Sequence, residues 1–374
     1  MLKVTFAHIG TSYIPFRTVL EELGLEVVIP PAISQRTISL GTKLAPEFSC
    51  FPLKVNLGNY LEAIEAGADA IFMAGGVGPC RFGYYGELQR EILIENGYNL
   101  EFLVLEAPKT HLGELLQKIR RYIPRHSLKD LSRAIHFAWV KAGALDRFEK
   151  TANLIRPREA RLGSTARLQK EFYRRLDRAA SVKETLKIRE QALAELKSLP
   201  VKPVSDLLRV VMLGEIYMVL EPHVNFHLEQ ALGEMGVLVD RTIHLTDWVY
   251  EQLFLSIVKP GWRKKYHLMA EPYLKNFVGG HGVETVAHTV GAGVNQYDGV
   301  IELAPFTCMP EIIAMQVLPA VSKNLDIPVL SLIIDEHATE IGVRTRLEAF
   351  VDLLRYRRQK FAGQHRRLSG GASS

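Results

Sequence analysis

The sequence predicts an α/β fold in which two parallel-sheet domains are separated by a helical insert. In the first and last thirds of the chain, short strand-like runs alternate with helical patterns, whereas the middle third has almost no strand-like run. The length of 374 residues suffices for two domains with sizeable cores. The predicted units are an N-terminal α/β domain at 1–109, the insert at 110–204, a C-terminal α/β domain at 205–359 and a disordered tail at 360–374.

The first third carries the alternation from its first residues. Apolar runs predict strands at Lys3–Ile9, Glu26–Ile29, Ala70–Ala74 and Leu100–Leu105. Amphipathic spacing predicts helices at Phe16–Leu23, Leu53–Ala66 and Tyr85–Glu95. This order is typical of a parallel sheet wound by helices.

The middle third has helical spacing, and the last third resumes the alternation. Apolar residues recur at intervals of three and four through charged stretches such as 168–176, until Pro200 and Pro203 end the pattern. Strands are predicted at Leu208–Tyr217, Val237–Val239, Val300–Leu303 and Pro328–Ile334. Helices are predicted at His223–Met235, Trp248–Phe254, Lys264–Phe277, Met309–Val321 and Thr345–Arg355.

Composition excludes several classes of protein. The net charge of +5 is carried largely by the helical middle and the tail, and no recognition motif accompanies it, so no nucleic-acid partner is expected. No apolar run reaches the roughly 18 residues of a membrane span, and the chain begins directly with a strand, so we expect no membrane segment and no signal peptide. Three cysteines fit a reducing cytoplasm better than a disulfide framework. The sequence contains no Walker A, GxGxxG or GxSxG motif.

The three cysteines share one local setting, which predicts that they act together. Cys50, Cys80 and Cys308 each lie beside or near a proline, and the last two shortly follow strand-like runs. The segments around Cys50 and Cys308 form a weak internal repeat across the two domains. Because ligands of open α/β sheets bind outside the carboxyl ends of the strands, we expect three strand-end loops to converge on one metal centre.

Thiolates prefer soft metals and hold iron–sulfur clusters. Three of them would leave one iron of a [4Fe–4S] cluster without a protein thiolate. Gly75, Gly76, Gly78 and Pro79 precede Cys80, and a glycine-rich backbone can approach a bulky cofactor closely. Two alternatives stay open: ordinary buried cysteines, and a zinc site in which His281 supplies the fourth ligand.

Several polar residues near strand ends are candidates for assisting roles. Arg81 directly follows Cys80 and can face an anionic cluster or substrate. Glu302 lies inside an apolar strand, where a carboxylate usually has a partner or a role. The strand at 328–334 is followed by Asp335, Glu336 and His337. These residues either act in acid–base chemistry or hydrogen bonding, or they cap a helix. Glu215 also lies near the end of a strand.

Five segments together resemble the 2-hydroxyacyl-CoA dehydratase component superfamily. They are similar to its acyl-CoA dehydratase activase-related branch ("CoA protein activase"), with double-cubane cluster proteins as more distant relatives. The segments are Ser49–Lys54, Gly75–Gly83, Gly214–Tyr217, Pro305–Glu311 and Asp335–Phe350.

The resemblance implies two Rossmann-like domains and one [4Fe–4S] cluster in the cleft between them, held by Cys50, Cys80 and Cys308. It implies an anaerobic iron–sulfur protein that accepts low-potential electrons from an ATP-dependent activator with an actin-like fold, for reductive or radical, dehydratase-like chemistry. This chain has no recognisable actin-like nucleotide domain, so it resembles the electron acceptor rather than the ATPase. Three thiolates support a single cubane.

Several features of the function stay open at the level of sequence. The chain is either a low-potential reductase or 2-hydroxyacyl-CoA dehydratase-like component itself, or a non-catalytic partner or scaffold of a CoA-enzyme activase system. A zinc-binding or metal-free small-molecule-binding α/β protein is the further alternative. A second copy of the chain or a related subunit is an expected partner in a homodimer or heterodimer.

Overall fold

The computed structural model describes residues 2–75, 79–105, 127–204, 206–251, 261 and 263–370. It contains two four-stranded sheets whose strands are all parallel. The predicted fold class, two Rossmann-like parallel-sheet domains, is confirmed.

The N-terminal domain consists of one sheet and the helices that connect its strands. The strands are β1 (Lys3–Thr5), β2 (Glu26–Val27), β3 (Ala70–Ala74) and β4 (Glu101–Leu105), in the order β2-β1-β3-β4. The helices are α1 (Tyr13–Glu22), α2 (Gln35–Leu44), α3 (Phe51–Glu65) and α4 (Tyr85–Glu95). Short 3₁₀ turns at Gly10–Ser12 and Arg81–Tyr84 lead into α1 and α4.

Three long helices follow and pack between the two domains. They are α5 (Leu128–Ile155), α6 (Ser164–Arg178) and α7 (Val182–Lys197), with a 3₁₀ turn at Arg156–Arg158. Phe148 and Phe172 stack at 4.3 Å between ring centroids in their apolar core, which also includes Ile14 of α1. Glu149 joins the insert to both domains, since its carboxylate accepts from Thr11 and is paired with Arg241 at 2.5 Å.

The C-terminal domain repeats the sheet topology of the first. Its strands are β5 (Leu208–Gly214), β6 (Val237–Arg241), β7 (Gly299–Pro305) and β8 (Val329–Ile334), in the order β6-β5-β7-β8. Its helices are α8 (Ile216–Leu220), α9 (Leu228–Glu234), α10 (Leu245–Val249), α11 (Lys264–Ala270), α12 (Gly282–Val294), α13 (Met309–Leu325) and α14 (Glu340–Gly370).

The shared topology shows which cysteines of the two domains are equivalent. The strand orders of the two sheets match when β3 is paired with β7, so the counterpart of Cys80, which follows β3, is Cys308, which follows β7. Cys50 lies one element earlier in its domain. The sequence repeat that joins Cys50 to Cys308 is therefore a local similarity of two helix starts rather than a topological equivalence.

Several predicted elements differ from those observed. The sequence analysis missed α2 and α12, and the helix predicted at 223–235 begins only at Leu228, because Phe226 and His227 adopt positive φ angles. The end of the helix predicted at 248–254 lies outside the described residues. Helix α14 contains no proline and runs through Gly370, so it includes most of the tail predicted to be disordered; residues 371–374 lie outside the described residues.

None of the described helices is both long enough and apolar enough to cross a membrane.

Candidate metal centre

All three cysteines occupy the N-cap position of a helix or helical turn. Cys50 precedes α3, Cys80 precedes the turn that leads into α4, and Cys308 precedes α13. Burial raises the pKa of each thiol, and the backbone N–H groups of Leu53, Phe82 and Glu311 face the sulfurs and oppose that rise, although none of the three side chains makes an N-cap hydrogen bond. Each sulfur therefore has N–H dipoles beside it that favour negative charge.

Cys50 does not follow a strand, which corrects the expectation of three strand-end loops. Helix α2 lies between β2 and Cys50, and it begins at a capping box formed by Ser34 and Thr37. Helix α3 connects α2 to the amino end of β3, so its own N-terminus lies at the carboxyl edge of the parallel sheet. Cys50 thus reaches the same edge as Cys80 by starting a helix rather than by ending a strand.

Arg81 connects the three cysteine loops. One guanidinium nitrogen of Arg81 donates to the carbonyl of Phe48 at 2.8 Å, and another donates to the carbonyl and, at 3.1 Å, to the hydroxyl of Thr307. Phe48 lies two residues before Cys50, and Thr307 lies one residue before Cys308. Thr307 adopts a φ of 63°, which is strained for a β-branched residue, and its contacts with Arg81 hold this conformation.

A glycine-containing loop closes over the same edge of the C-terminal sheet. A Cβ atom built on Gly279 would lie 2.8 Å from the backbone nitrogen of Cys80, and one built on Gly280 would lie 3.0 Å from Pro310 Cγ. Both glycines have positive φ angles. Side chains are therefore excluded at these two positions by strain and by contact, and the backbone there lies directly against the Cys80 and Cys308 loops.

Burial holds the thiols in the protonated state when no metal is bound. It raises the pKa of Cys50 to about 11 and also raises the pKa values of Cys80 and Cys308. The Arg81 charge opposes this shift at Cys50 and Cys80. Cys50 also forms a hydrogen bond with the hydroxyl of Tyr85. A bound metal would have to displace these protons, so metal binding should be coupled to proton release.

Two carboxyl groups, those of Glu215 and Glu311, act electrostatically on the thiols, and a third, that of Glu302, acts on Glu311. Burial raises the pKa of Glu215 and of Glu302 to about 7, and it also raises the pKa of Glu311. The charge of Glu215 acts on all three thiols and raises their pKa values. Glu311 accepts a hydrogen bond from Thr285 at 2.9 Å, and its other oxygen has no partner among the described residues. Burial therefore favours the protonated form of each of these groups.

Glu302 gives a testable pH dependence. Its carboxyl group in β7 is fully buried and hydrogen bonded to Ser331. Since its pKa is raised above the usual value of 4.5 to about 7, the folded state binds the extra proton and the free energy of unfolding should fall as pH rises from about 4.5 to 7. Glu302→Gln should therefore stabilise the iron-free protein at pH 8 by about 3 kcal/mol, with little effect at pH 4.5.

Urea unfolding at both pH values measures this difference. The exposed Glu95→Gln serves as the control and should change neither value. An equal effect of Glu302→Gln at both pH values would contradict the assignment.

The remaining predicted residues are placed as follows. Glu336 is paired with Lys54 of α3 at 2.5 Å, and Asp335 accepts from the backbone N–H of His337 at 2.9 Å, which is a turn-capping contact. His337 is exposed. Gly75 and Pro79 are described and lie before Cys80. Gly76 and Gly78 lie outside the described residues.

The donor geometry distinguishes a single ion from a cluster. Ligands of one zinc ion lie about 2.3 Å from the metal and hence no more than about 4.6 Å apart. No three of Cys50, Cys80, Cys308 and His281, all of them described, bring their ligand atoms within 4.8 Å of one another. A cubane instead takes each thiolate on a different iron, which requires wider spacing. The described positions of these four side chains therefore form no ready-made site for one zinc ion.

Another set of possible ligands lies at the interface of the insert and the C-terminal domain. It is the one set in the described part of the chain whose ligand atoms lie within 4.8 Å of one another, and it consists of Asp146, Glu149 and His244. Arg241 already contacts Glu149 and His244, and Thr246 donates to Asp146. This set is an ion-pair network whose cation is an arginine.

The first part of the chain matches a known family. Residues 8–75 match the model of a CoA enzyme activase uncharacterised domain. The chain carries a CoA enzyme activase-related domain. This activase-related domain includes Cys50 and ends before Cys80, and the match confirms the predicted relationship to the CoA activase-related branch. No curated protein sequence matches the chain significantly.

Sequence reasoning missed several residues that the fold brings to the cysteine site. Glu311 was passed over although it lies one helical turn after Cys308, a spacing that the sequence displays. The contact of Gly279 with Cys80 and the strain at Thr307 depend on distant segments and have no local signal.

Proposed function

We propose that Cys50, Cys80 and Cys308 hold one [4Fe–4S] cluster in the cleft between the two domains, and that the protein accepts low-potential electrons from an ATP-dependent activator. The observation that carries the proposal is that three thiols, each at an N-cap, lie in loops joined by one arginine. When bound, such a cluster supplies one-electron reduction at low potential. The match to an activase domain supports the same system.

The residues of the chain would have separate tasks. The backbone N–H groups of Leu53, Phe82 and Glu311 would donate towards the thiolate sulfurs and stabilise their charge. Arg81 would hold the loops together and balance negative charge. Glu215 and Glu311 would hold protons beside the site, where reduction of a substrate needs them.

The surface around the cysteines supports a docking role for the electron donor. Five exposed apolar side chains lie within four residues of a cysteine, at least one beside each of the three. They are Phe48, Tyr84, Phe306, Met309 and Ile312. A donor that docks on exposed apolar side chains of the cysteine loops would approach the cluster closely.

Anaerobic expression with reconstitution tests the proposal. The expected result is about four irons and four sulfides per chain with a brown chromophore, as one cubane requires. A folded, colourless protein that takes up no iron would overturn it. Reduction of the loaded protein by an activator only in the presence of ATP would test the electron donor separately.

Arg81 provides a prediction about the loops. Arg81→Ala should fold normally but lose iron several-fold faster on dilution under anaerobic conditions, because the three loops would no longer be joined. Arg81→Lys should be intermediate, since one ammonium cannot bridge two carbonyls in the way a guanidinium does.

Iron release to a chelator, followed by absorbance, gives these rates. Arg90→Ala on α4 serves as the matched control, because this arginine pairs with two exposed glutamates, Glu87 and Glu91. Equal release rates for Arg81→Ala and Arg90→Ala would show that Arg81 has no such role.

A further inference from the structure

A small cavity lies at the carboxyl edge of the C-terminal sheet, and none of the three cysteines, all of them described, lines it. Its wall includes Gly214 at the end of β5, Thr242 directly after β6 and Thr285 of α12. Ligands of open α/β sheets bind outside the carboxyl ends of the strands, so the cavity occupies a position suited to a ligand. Its volume is about 160 Å³, and since a cavity of about 150 Å³ holds one benzene molecule, a ligand of about six heavy atoms fits.

The wall of this cavity is acidic. Three carboxyl groups line it, those of Asp247, Glu251 and Glu284. Three imidazoles also line it, those of His244, His281 and His288. Burial lowers the pKa values of the imidazoles, to about 4 for the last two and to about 2 for the first, so all three are neutral near pH 7. No lysine or arginine of the described chain lines the cavity, so its wall holds no cation that would balance the carboxylates.

Cations outside the wall contact two of the carboxylates through one oxygen each. Oε1 of Glu251 lies 3.4 Å from Lys265 Nζ and accepts from the hydroxyl of Tyr266 at 3.0 Å. Oε1 of Glu284 lies 3.3 Å from Arg263 Nε. Oε2 of Glu284 has no hydrogen-bond partner among the described residues, although the side chain is only 9% exposed. Because a buried carboxylate oxygen without a donor costs free energy, a bound cation would stabilise this arrangement.

The wall favours an organic cation over a metal ion. No three of its carboxyl and imidazole groups, all of them described, bring their ligand atoms within 4.8 Å of one another, so the close ligand set of a single metal ion is missing. Two aromatic side chains line the cavity, those of Trp248 and Tyr266. The ammonium of Lys265 already lies over the Tyr266 ring at 4.4 Å from its centroid, and Trp248 offers a second ring. Aromatic faces attract ammonium groups and pack against alkyl chains.

We propose that this cavity binds a small alkylammonium ion, with its ammonium group between Glu251 and Glu284 and its alkyl part against Trp248. The ammonium would supply donors to carboxylate oxygens that the protein leaves without them, and the neutral imidazoles of the wall would not repel it. Thr285 lines the cavity and donates to Glu311, so the ligand would lie beside the candidate metal centre. The inference goes beyond the proposed function and does not depend on a bound cluster.

Isothermal titration calorimetry of the full-length, iron-free protein tests this site with three probes of nearly equal size. Pentylammonium should bind saturably, neutral pentanol about ten-fold more weakly, and anionic pentanoate not at all. Glu284→Gln and, separately, Glu251→Gln should each weaken pentylammonium binding about ten-fold and leave pentanol binding unchanged, which also shows that the variant is folded. Glu271→Gln is the matched control, because Glu271 is exposed just after α11 and does not line the cavity.

Several outcomes would overturn the inference. Equal affinity for pentylammonium and pentanol would make the cavity a general apolar site, and no binding of pentylammonium would leave it without this ligand. Stoichiometric binding of Zn²⁺ that excludes pentylammonium would assign the cavity to a metal ion. An equal loss of affinity in Glu271→Gln would remove Glu284 and Glu251 from the site. Since the protein carries no iron in these titrations, none of these results bears on the cluster, and a failure to take up iron would not bear on the cavity.

Discussion

Replacing Cys308 with serine is expected to remove most of the bound iron while leaving the fold intact. A hydroxyl is a poor ligand for an iron–sulfur cluster, and two remaining thiolates hold it weakly. Serine is at the same time a preferred N-cap residue, so its hydroxyl can accept from the N–H of Glu311 that now faces the sulfur. The free energy of unfolding of the iron-free protein should therefore change by no more than about 1 kcal/mol.

Iron analysis and urea unfolding of the same preparations separate the two effects. Cys50→Ser and Cys80→Ser should behave in the same way, because all three thiols are N-cap residues. Retention of a full complement of iron by any one of the three variants would remove that cysteine from the ligand set.

Replacing Lys54 with methionine is expected to destabilise the protein by about 3 kcal/mol. The Lys54 ammonium lies 2.5 Å from a Glu336 oxygen, and the side chains are only 3% and 12% exposed. Removing one partner leaves a largely buried charge without compensation, which costs much more than the pair itself contributes. Because Lys54 lies one turn after Cys50 and Glu336 follows β8, the same pair also fixes the first domain against the second.

Urea unfolding of the iron-free variants gives this difference. Lys54→Met/Glu336→Gln should recover most of the lost stability, since neither buried charge remains. Lys43→Met, at an exposed lysine of α2, should lie within about 0.5 kcal/mol of the wild type. If Lys54→Met also stayed within that margin, the pair would not stabilise the domain contact.

The sequence predicted those elements whose local pattern agrees with their final environment. Ala70–Ala74 and Tyr85–Glu95 were predicted with the bounds that the structure has. Helix α12 was missed because glycines at 282, 291 and 293 and several β-branched residues disfavour a helix locally. It forms because Val283, Val286 and Ala287 are buried in an apolar cluster that also contains residues of α13.

Helix α2 was missed for a related reason. Gly41 weakens its helical signal, yet a Cβ atom there would lie 1.7 Å from the carbonyl oxygen of Lys54. The glycine permits close packing of α2 on α3, and that contact joins segments whose proximity no local pattern reveals. The penalty for glycine in a helix is thus outweighed by tertiary packing.

The sequence predicted which residues form the candidate site, but it did not predict how they are arranged in space. The three thiols, Arg81 and Glu302 could be selected because of their residue types and their positions near strand-like runs. Arg81 and Thr307, which the bridge joins, are 226 residues apart in sequence, and the match of the Cys80 loop to the Cys308 loop depends on the topology of two sheets. Such relations arise only when distant segments fold together.

A Mössbauer spectrum of the ⁵⁷Fe-reconstituted protein tests the central claim most directly. The proposed function requires the quadrupole doublets of a single [4Fe–4S]²⁺ cluster, with about one iron in four distinct from the other three because no thiolate binds it. The spectrum of isolated iron ions or of a [2Fe–2S] centre, or the absence of bound iron in a fully folded protein, would contradict it.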